Sequence, residues 1–259
     1  MIDLRRLRVV MFVALLTPVS AQAQQGWPPD STENLKVLPA DISIRELIGT
    51  MRGFAGALGV RCIHCHVGDD PSDLSSVDFV SDEKIEKRKA RVMIQMLNTI
   101  NSELLANVPE RSDPAVEIKC STCHRGLTKP ADIADILDAK MADGGADAAI
   151  EEYEALREEY YGSWTYNFTE FTLTSVAEEA VRANPDGAMQ ILDYNLTHYP
   201  ESSYTYVMKA QIYANLHGDF DAAIEALRNA QRVDPEQPRF QRMIEQMEEA
   251  AAQNTDDDE

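Results

Sequence analysis

All four cysteines of this chain, Cys62, Cys65, Cys120 and Cys123, fall in two five-residue runs, "CIHCH" at 62–66 and "CSTCH" at 120–124. Each run is a Cys-x-x-Cys pair with a histidine directly behind it. Two residues between the sulfurs place both on one turn of chain, and the histidine that follows, His66 or His124, then lies under whatever the sulfurs hold. That triple fits covalent attachment of haem, with two thioethers to the vinyl groups and an imidazole as the proximal ligand of iron. Two alternatives use the same residues. A zinc site built from both Cys-x-x-Cys pairs would leave both histidines idle, and a dithiol redox pair needs only one motif and a strand-and-helix setting that the sequence lacks. The expected cofactors are therefore two covalently bound haem c groups. His64, between the paired cysteines, is read as an exposed spacer.

The N-terminus supports export. Arg5, Arg6 and Arg8 precede an apolar run from Val9 to about Val19, and Ala21-Gln22-Ala23 follows as a small-residue cleavage site. This is the order of a secretory signal peptide, expected over 1–23. The apolar run is shorter than the roughly 20 residues of a membrane span. An uncleaved anchor is the alternative reading, and no cysteine follows the run to accept a lipid. Loss of 1–23 removes three arginines and one aspartate, taking the net charge from -20 to -22. Such acidity excludes nucleic acid and favours basic partners or simply keeps an exported protein in solution. The expected location is periplasmic, at the outer face of the inner membrane if it associates there peripherally.

A second axial ligand decides between carrying electrons and binding small molecules. Upstream of the first motif, Ser43 and Glu46 have capping-box spacing, and Leu47, Met51, Phe54 and Leu58 form one stripe of a helix ending near Gly59. Between the motifs, Ser81 and Asp82 are capping candidates for a helix reaching about Asn107. Its apolar face holds Met93, Met96, Leu97, Ile100 and Leu104. Periodicity does not choose between the two methionines. The basic cluster Lys84, Lys87, Arg88, Lys89 and Arg91 either offsets propionate charge, guides a partner, or is a solvated face.

"LIGTMRGFAGALGVRCIHCHVG", "DFVSDEKIEKRKARVMIQMLNTIN" and "IKCSTCHRG" resemble the cytochrome c subunit of photosynthetic reaction centres, over roughly residues 33–130. That family builds each haem site from a helix, a turn and a CxxCH motif, with a helical methionine as distal ligand. The resemblance implies Met51 for the haem at Cys62, Cys65 and His66. It implies Met93 for the haem at Cys120, Cys123 and His124. Well-known members hold four haems, whereas this chain has two motifs, with Asn107 where such members place a further histidine ligand.

Beyond "HRGLTKPAD" the haem signals stop. "SSYTYVMKAQIYANLHGDFDAAIEALRNAQRVDPEQ" fits a tetratricopeptide repeat, with Gly218-Asp219-Phe220 at a helix turn and Asp234-Pro235 at its end. "GADAAIEEYEALREEY" and "NPDGAMQILDYNLTHYPES" are weaker echoes. The aromatic stretch at 160–171 is read as repeat core, His198 and His217 as surface residues. The expected fold is mainly α: a dihaem cytochrome c domain of helix-turn-CxxCH units (24–135), a TPR-like helical repeat domain (140–250) and a disordered acidic tail (251–259). The expected role is an electron carrier and not an enzyme. Its partners would be a redox donor and acceptor, reaction-centre subunits among the candidates, with another protein at the repeats. The rivals are a dihaem peroxidase and a haem-containing sensor or scaffold.

Overall fold

The computed structural model describes residues 27–29 and 31–256, with side chains through 253. The expected signal segment and the last three residues of the acidic tail lie outside the described residues. Regular structure is helical throughout the described residues, apart from one antiparallel bridge between Val67 and Asp78. The main helices are α1 (Ile44–Leu58), α2 (Ile85–Thr99), α3 (Cys120–His124), α4 (Ile133–Tyr160), α5 (Glu170–Ala180), α6 (Pro185–His198), α7 (Ser203–Ile212), α8 (Phe220–Val233) and α9 (Pro238–Asp256). None is long and apolar enough to cross a membrane.

The chain divides into two compact units. One comprises Met1–Gly53 and Arg61–Pro114, the other Phe54–Val60 and Ala115–Glu259. The second motif thus folds with the helices that follow it, although the sequence groups it with the first motif in a domain over 24–135.

Local rules set the ends of α1. The Glu46 carboxylate accepts from the Ser43 amide at 3.2 Å, and the Glu46 amide donates to Ser43 Oγ at 3.3 Å, closing the expected capping box. At the other end Gly59 takes a left-handed φ of +69°. Val60 N then donates to Ala55 O at 3.0 Å and Gly59 N to Gly56 O at 3.4 Å, a Schellman stop.

α2 begins at Ile85, later than its capping candidates suggest. Asp82 does not cap it. Its carboxylate accepts from Arg91 and Lys36 at 2.8 and 2.6 Å and from Asn34 Nδ2 at 2.8 Å, tying the N-terminal segment to α2. After Thr99 the chain continues through a five-residue π turn (Ile100–Leu104) and a 3-10 turn ending at Asn107, the end that periodicity predicts.

In the second unit α4 to α9 pack each against its neighbour in sequence. Asp132, Asn184, Ser202 and Asp219 cap α4, α6, α7 and α8 through their side chains. One core gathers Leu137, Tyr153, Leu173, Val176, Ile191 and Leu192, none of them accessible to solvent, and a smaller one surrounds Ala223, Leu227 and Ile244. Each large side chain so buried contributes roughly 1.5–3 kcal/mol. Gly145, at φ +74°, breaks α4 into two helical stretches. The aromatic stretch divides between inside and outside: Tyr166 and Phe168 pack on the core, while Tyr161, Trp164 and Phe171 are exposed. His198 is not a plain surface residue. It is half-buried with its Nε2 3.0 Å from the Tyr194 hydroxyl, its ring beside Tyr153. α9 runs to Asp256, so helix extends past the 250 boundary drawn from composition.

Candidate functional site

The first motif folds as one tight turn. Arg61 is extended, Cys62–His64 form a 3-10 turn, and Cys62 O accepts from the amides of Cys65 (3.2 Å) and His66 (3.0 Å). Both sulfurs and the imidazole therefore leave a single turn, as thioether attachment requires. The thiols are free and half-buried. Burial, then the Glu86 carboxylate, pushes the Cys65 thiol up, opposite to the depression that marks a reactive redox dithiol. Burial, followed by the Lys87 charge, lowers His66 to about 4, so its imidazole is neutral at ordinary pH and free to bind a metal. The ring meets Phe79 edge-on at 5.0 Å. Phe79 main chain lies near enough to oppose the fall slightly, yet His66 Nδ1 is buried without a partner in hydrogen-bond geometry. His64 is half-buried, less open than a free spacer.

Two lysines from the start of α2 hold this region. Lys84 donates to Ile63 O inside the motif. Lys87 donates to the carbonyls of Phe79, Val80 and Ser81 at 2.8, 3.0 and 2.8 Å. The basic cluster is therefore only in part a solvated face: Lys89 fits that reading and Arg88 donates to Asp82 O, while Lys84, Lys87 and Arg91 turn inward.

The second motif is α3 itself, opened by the Lys119 amide donating to Thr122 Oγ1 at 3.0 Å and closed by Arg125 at φ +47° and Gly126 at φ +90°. His124 Nδ1 stands 2.8 Å from Leu127 O. A carbonyl only accepts, so Nδ1 carries the proton and Nε2 keeps its lone pair for a metal. The loop behind the motif is fastened twice more: Gly126 N donates to Ala57 O at 2.9 Å, and Thr165 Oγ1 donates to Arg125 O at 2.9 Å. Beside it opens a cleft of about 300 Å³ lined by Cys123, His124, Leu127, Asp132, Asp135 and Thr165 among others. Thr165 and the Leu127 carbonyl carry no mark in the sequence.

Met51 is half-buried on α1 with Leu47, Phe54 and Leu58, and Met93 and Met96 are 42 % and 47 % exposed on α2. The described residues of the first unit bury one hydrophobic side chain, Val77. Such a segment lacks the apolar burial that offsets chain entropy. A large apolar group held at Cys62, Cys65 and His66 would supply it, so these residues fit haem in donor type and in what the packing lacks. Among the described residues no three or more His, Cys, Asp or Glu side chains gather closely enough to cage a metal ion. Met51 shares the first unit with Cys62, Cys65 and His66. Met93 is in the first unit too, whereas Cys120, Cys123 and His124 belong to the second.

The family model for the photosynthetic reaction centre cytochrome C subunit matches residues 21–216, about three quarters of the chain and well past the second motif. The chain is also similar to cytochrome c-554 of Chloroflexus aurantiacus, 32% identical over 105 residues. That stretch is 40% of this chain and 23% of the relative, so the match spans about a quarter of the relative's length.

Proposed function

The chain belongs to the photosynthetic reaction centre cytochrome c subunit family, and from that premise we propose that it is an exported dihaem carrier of single electrons serving a membrane redox complex, a photosynthetic reaction centre foremost. When bound, each haem iron takes up and releases one electron between its ferrous and ferric states. Cys62 and Cys65 would tether one haem, and His66, held neutral by burial, would ligate its iron. Cys120 and Cys123 tether the other, and His124 is oriented for its iron by the Leu127 carbonyl. Met51 and Met93, carried over from the family pattern, would supply thioether ligands, which favour ferrous iron and raise the potential. α7 and α8, with Gly218 left-handed at their turn, are read as a TPR-like pair that receives a protein partner.

The observation that carries the reading is that both CxxCH runs fold as single turns with an imidazole free to ligate. The test is haem content and spin state of the purified full chain. Two haems per chain, both low-spin and closed to carbon monoxide, are expected. A high-spin haem that binds carbon monoxide readily would move the protein to peroxide chemistry.

A further inference from the structure

Acidic and basic side chains balance over residues 1–130, with 16 of each, so the net charge of -20 arises wholly from the residues that follow. Residues 131–249 hold 24 carboxylates and 8 cations. Four of those cations are already engaged. Lys140, Lys209 and Arg228 pair with Glu152, Asp193 and Glu248, and Arg157 lies over the Tyr161 ring at 3.9 Å. We propose that within this acidic stretch the neighbouring first turns of α5 and α7 form a docking surface for an arginine-rich segment of another protein. This rests on the reading of α7 and α8 as a pair that receives a partner, and adds the chemistry of what is received.

Two aromatic rings mark the surface. Phe171 of α5 is 57 % exposed, Tyr204 of α7 is 38 % exposed, and their centroids lie 5.8 Å apart. α5 and α7 touch although α6 separates them in sequence. A single exposed ring is ordinary, whereas two in contact make an apolar patch that a partner can cover.

What holds the rings side by side is buried. Asn195 of α6, inaccessible to solvent, donates through Nδ2 to Glu170 O at 3.0 Å and to Thr205 Oγ1 at 2.9 Å. Those acceptors belong to the residue before Phe171 and the residue after Tyr204. Ser202 Oγ lies 2.8 Å from the Thr205 hydroxyl and accepts from the Thr205 amide at 3.2 Å. Polar groups sealed from water keep such bonds, because breaking one leaves its partner unpaired. The spacing of the two rings is therefore set before anything binds, which lowers the entropic cost of docking.

The charge around the rings selects the partner. Ser175 and Glu178 stand one and two turns beyond Phe171 on the exposed side of α5, and Glu201 lies just ahead of α7. Glu170, in the first turn of α5, offsets the positive end of that helix. Arg182, on the same line, stands past the end of α5. A guanidinium laid on the rings gains twice, from their electron-rich faces and from carboxylates that accept its N–H groups. A second copy of this acidic chain, or an anionic bilayer, would be repelled.

The experiment is isothermal titration calorimetry of short synthetic peptides, one alternating Arg with Ser and one alternating Glu with Ser, into the full haem-loaded chain. The arginine peptide is expected to bind and to weaken with added salt. Phe171→Ala and Tyr204→Ala should each weaken it about tenfold, while Tyr204→Phe, which keeps the ring, should stay within about twofold of the unaltered chain. Glu178→Gln should lessen the dependence on salt. Arginine-peptide binding that both alanine variants leave unchanged, or tighter binding of the glutamate peptide, overturns this surface while leaving the repeats as a receiver of some other partner. If neither peptide binds, the receiving pair falls and the proposal falls with it, whereas haem content and electron carriage are untouched by either result.

Discussion

Gly59→Ala tests how the end of α1 is fastened to the loop behind the second motif. Gly59 has φ +69°, and a Cβ there would stand 2.2 Å from the carbonyl oxygen of Gly126. The obstacle is main chain, with no flexible end to swing aside. A left-handed alanine costs about 1–2 kcal/mol. Clearing the clash means loosening the 2.9 Å bond from Gly126 N to Ala57 O, worth about 1 kcal/mol. Together these give about 2–3 kcal/mol, and for a unit of this size a drop in Tm of about 4–12 °C. Gly53→Ala is the matched comparison. It lies inside α1, on the side away from Met51, with no heavy atom within 4 Å of a new Cβ, and should stabilise by about 0.5–1 kcal/mol. Thermal unfolding of the haem-loaded chain, followed by far-ultraviolet circular dichroism, should therefore move in opposite directions for the two alanines. If Gly59→Ala melts with or above Gly53→Ala, the close approach of Gly59 to Gly126 is wrong.

Met51→Ala and Met93→Ala should each remove one methionine-to-iron charge-transfer band from the ferric spectrum; a band lost with Met96→Ala and retained with Met93→Ala would reassign the second ligand. Asp82 is held well below the usual carboxylate range by hydrogen bonds from Arg91 first and Lys36 second. Its contribution is then complete above the ordinary carboxylate value of about 3.9 and is lost as pH falls below it, because the unfolded chain takes up the proton first. Acid titration of Asp82→Asn should lack that component of the slope, and an unchanged slope would remove Asp82 from its place as a hub. Leu192→Ala, fully buried in the larger core, should cost about 2–5 kcal/mol in urea unfolding, and a loss below 1 kcal/mol would contradict that packing.

The motifs and the two ends of α1 were legible because their signals are local. Spacing alone put two sulfurs and an imidazole on one turn, and Ser43 with Glu46 announced a capping box that forms as expected. The partition of the chain was not legible. Gly126 N and Ala57 O are main-chain groups, and the bond between them leaves no trace in residue type except the glycines it demands. The same limit hid Lys87, whose acceptors are three carbonyls, and Thr165, whose acceptor is another. Asp82 looked like a cap from its place before a helix. Three side chains far from it in sequence or a turn along α2 compete for its oxygens and win. His198 looked idle because aromatic packing by Tyr153 and Tyr194 carries no motif.

Val77 is the single buried hydrophobe among the described residues of the first unit, and on the dihaem reading that sets an order of events in the making of the protein. A segment that cannot close on its own side chains stays open and pliant, which is the state in which two sulfurs can be presented to the vinyl groups of a porphyrin. On the dihaem reading the thioether bonds would come first and the compact form of this unit second. The helices from α4 onward already hold their cores and need not wait. A cell short of haem would then accumulate chains folded at one end and open at the other, and the open end is where its proteases would begin.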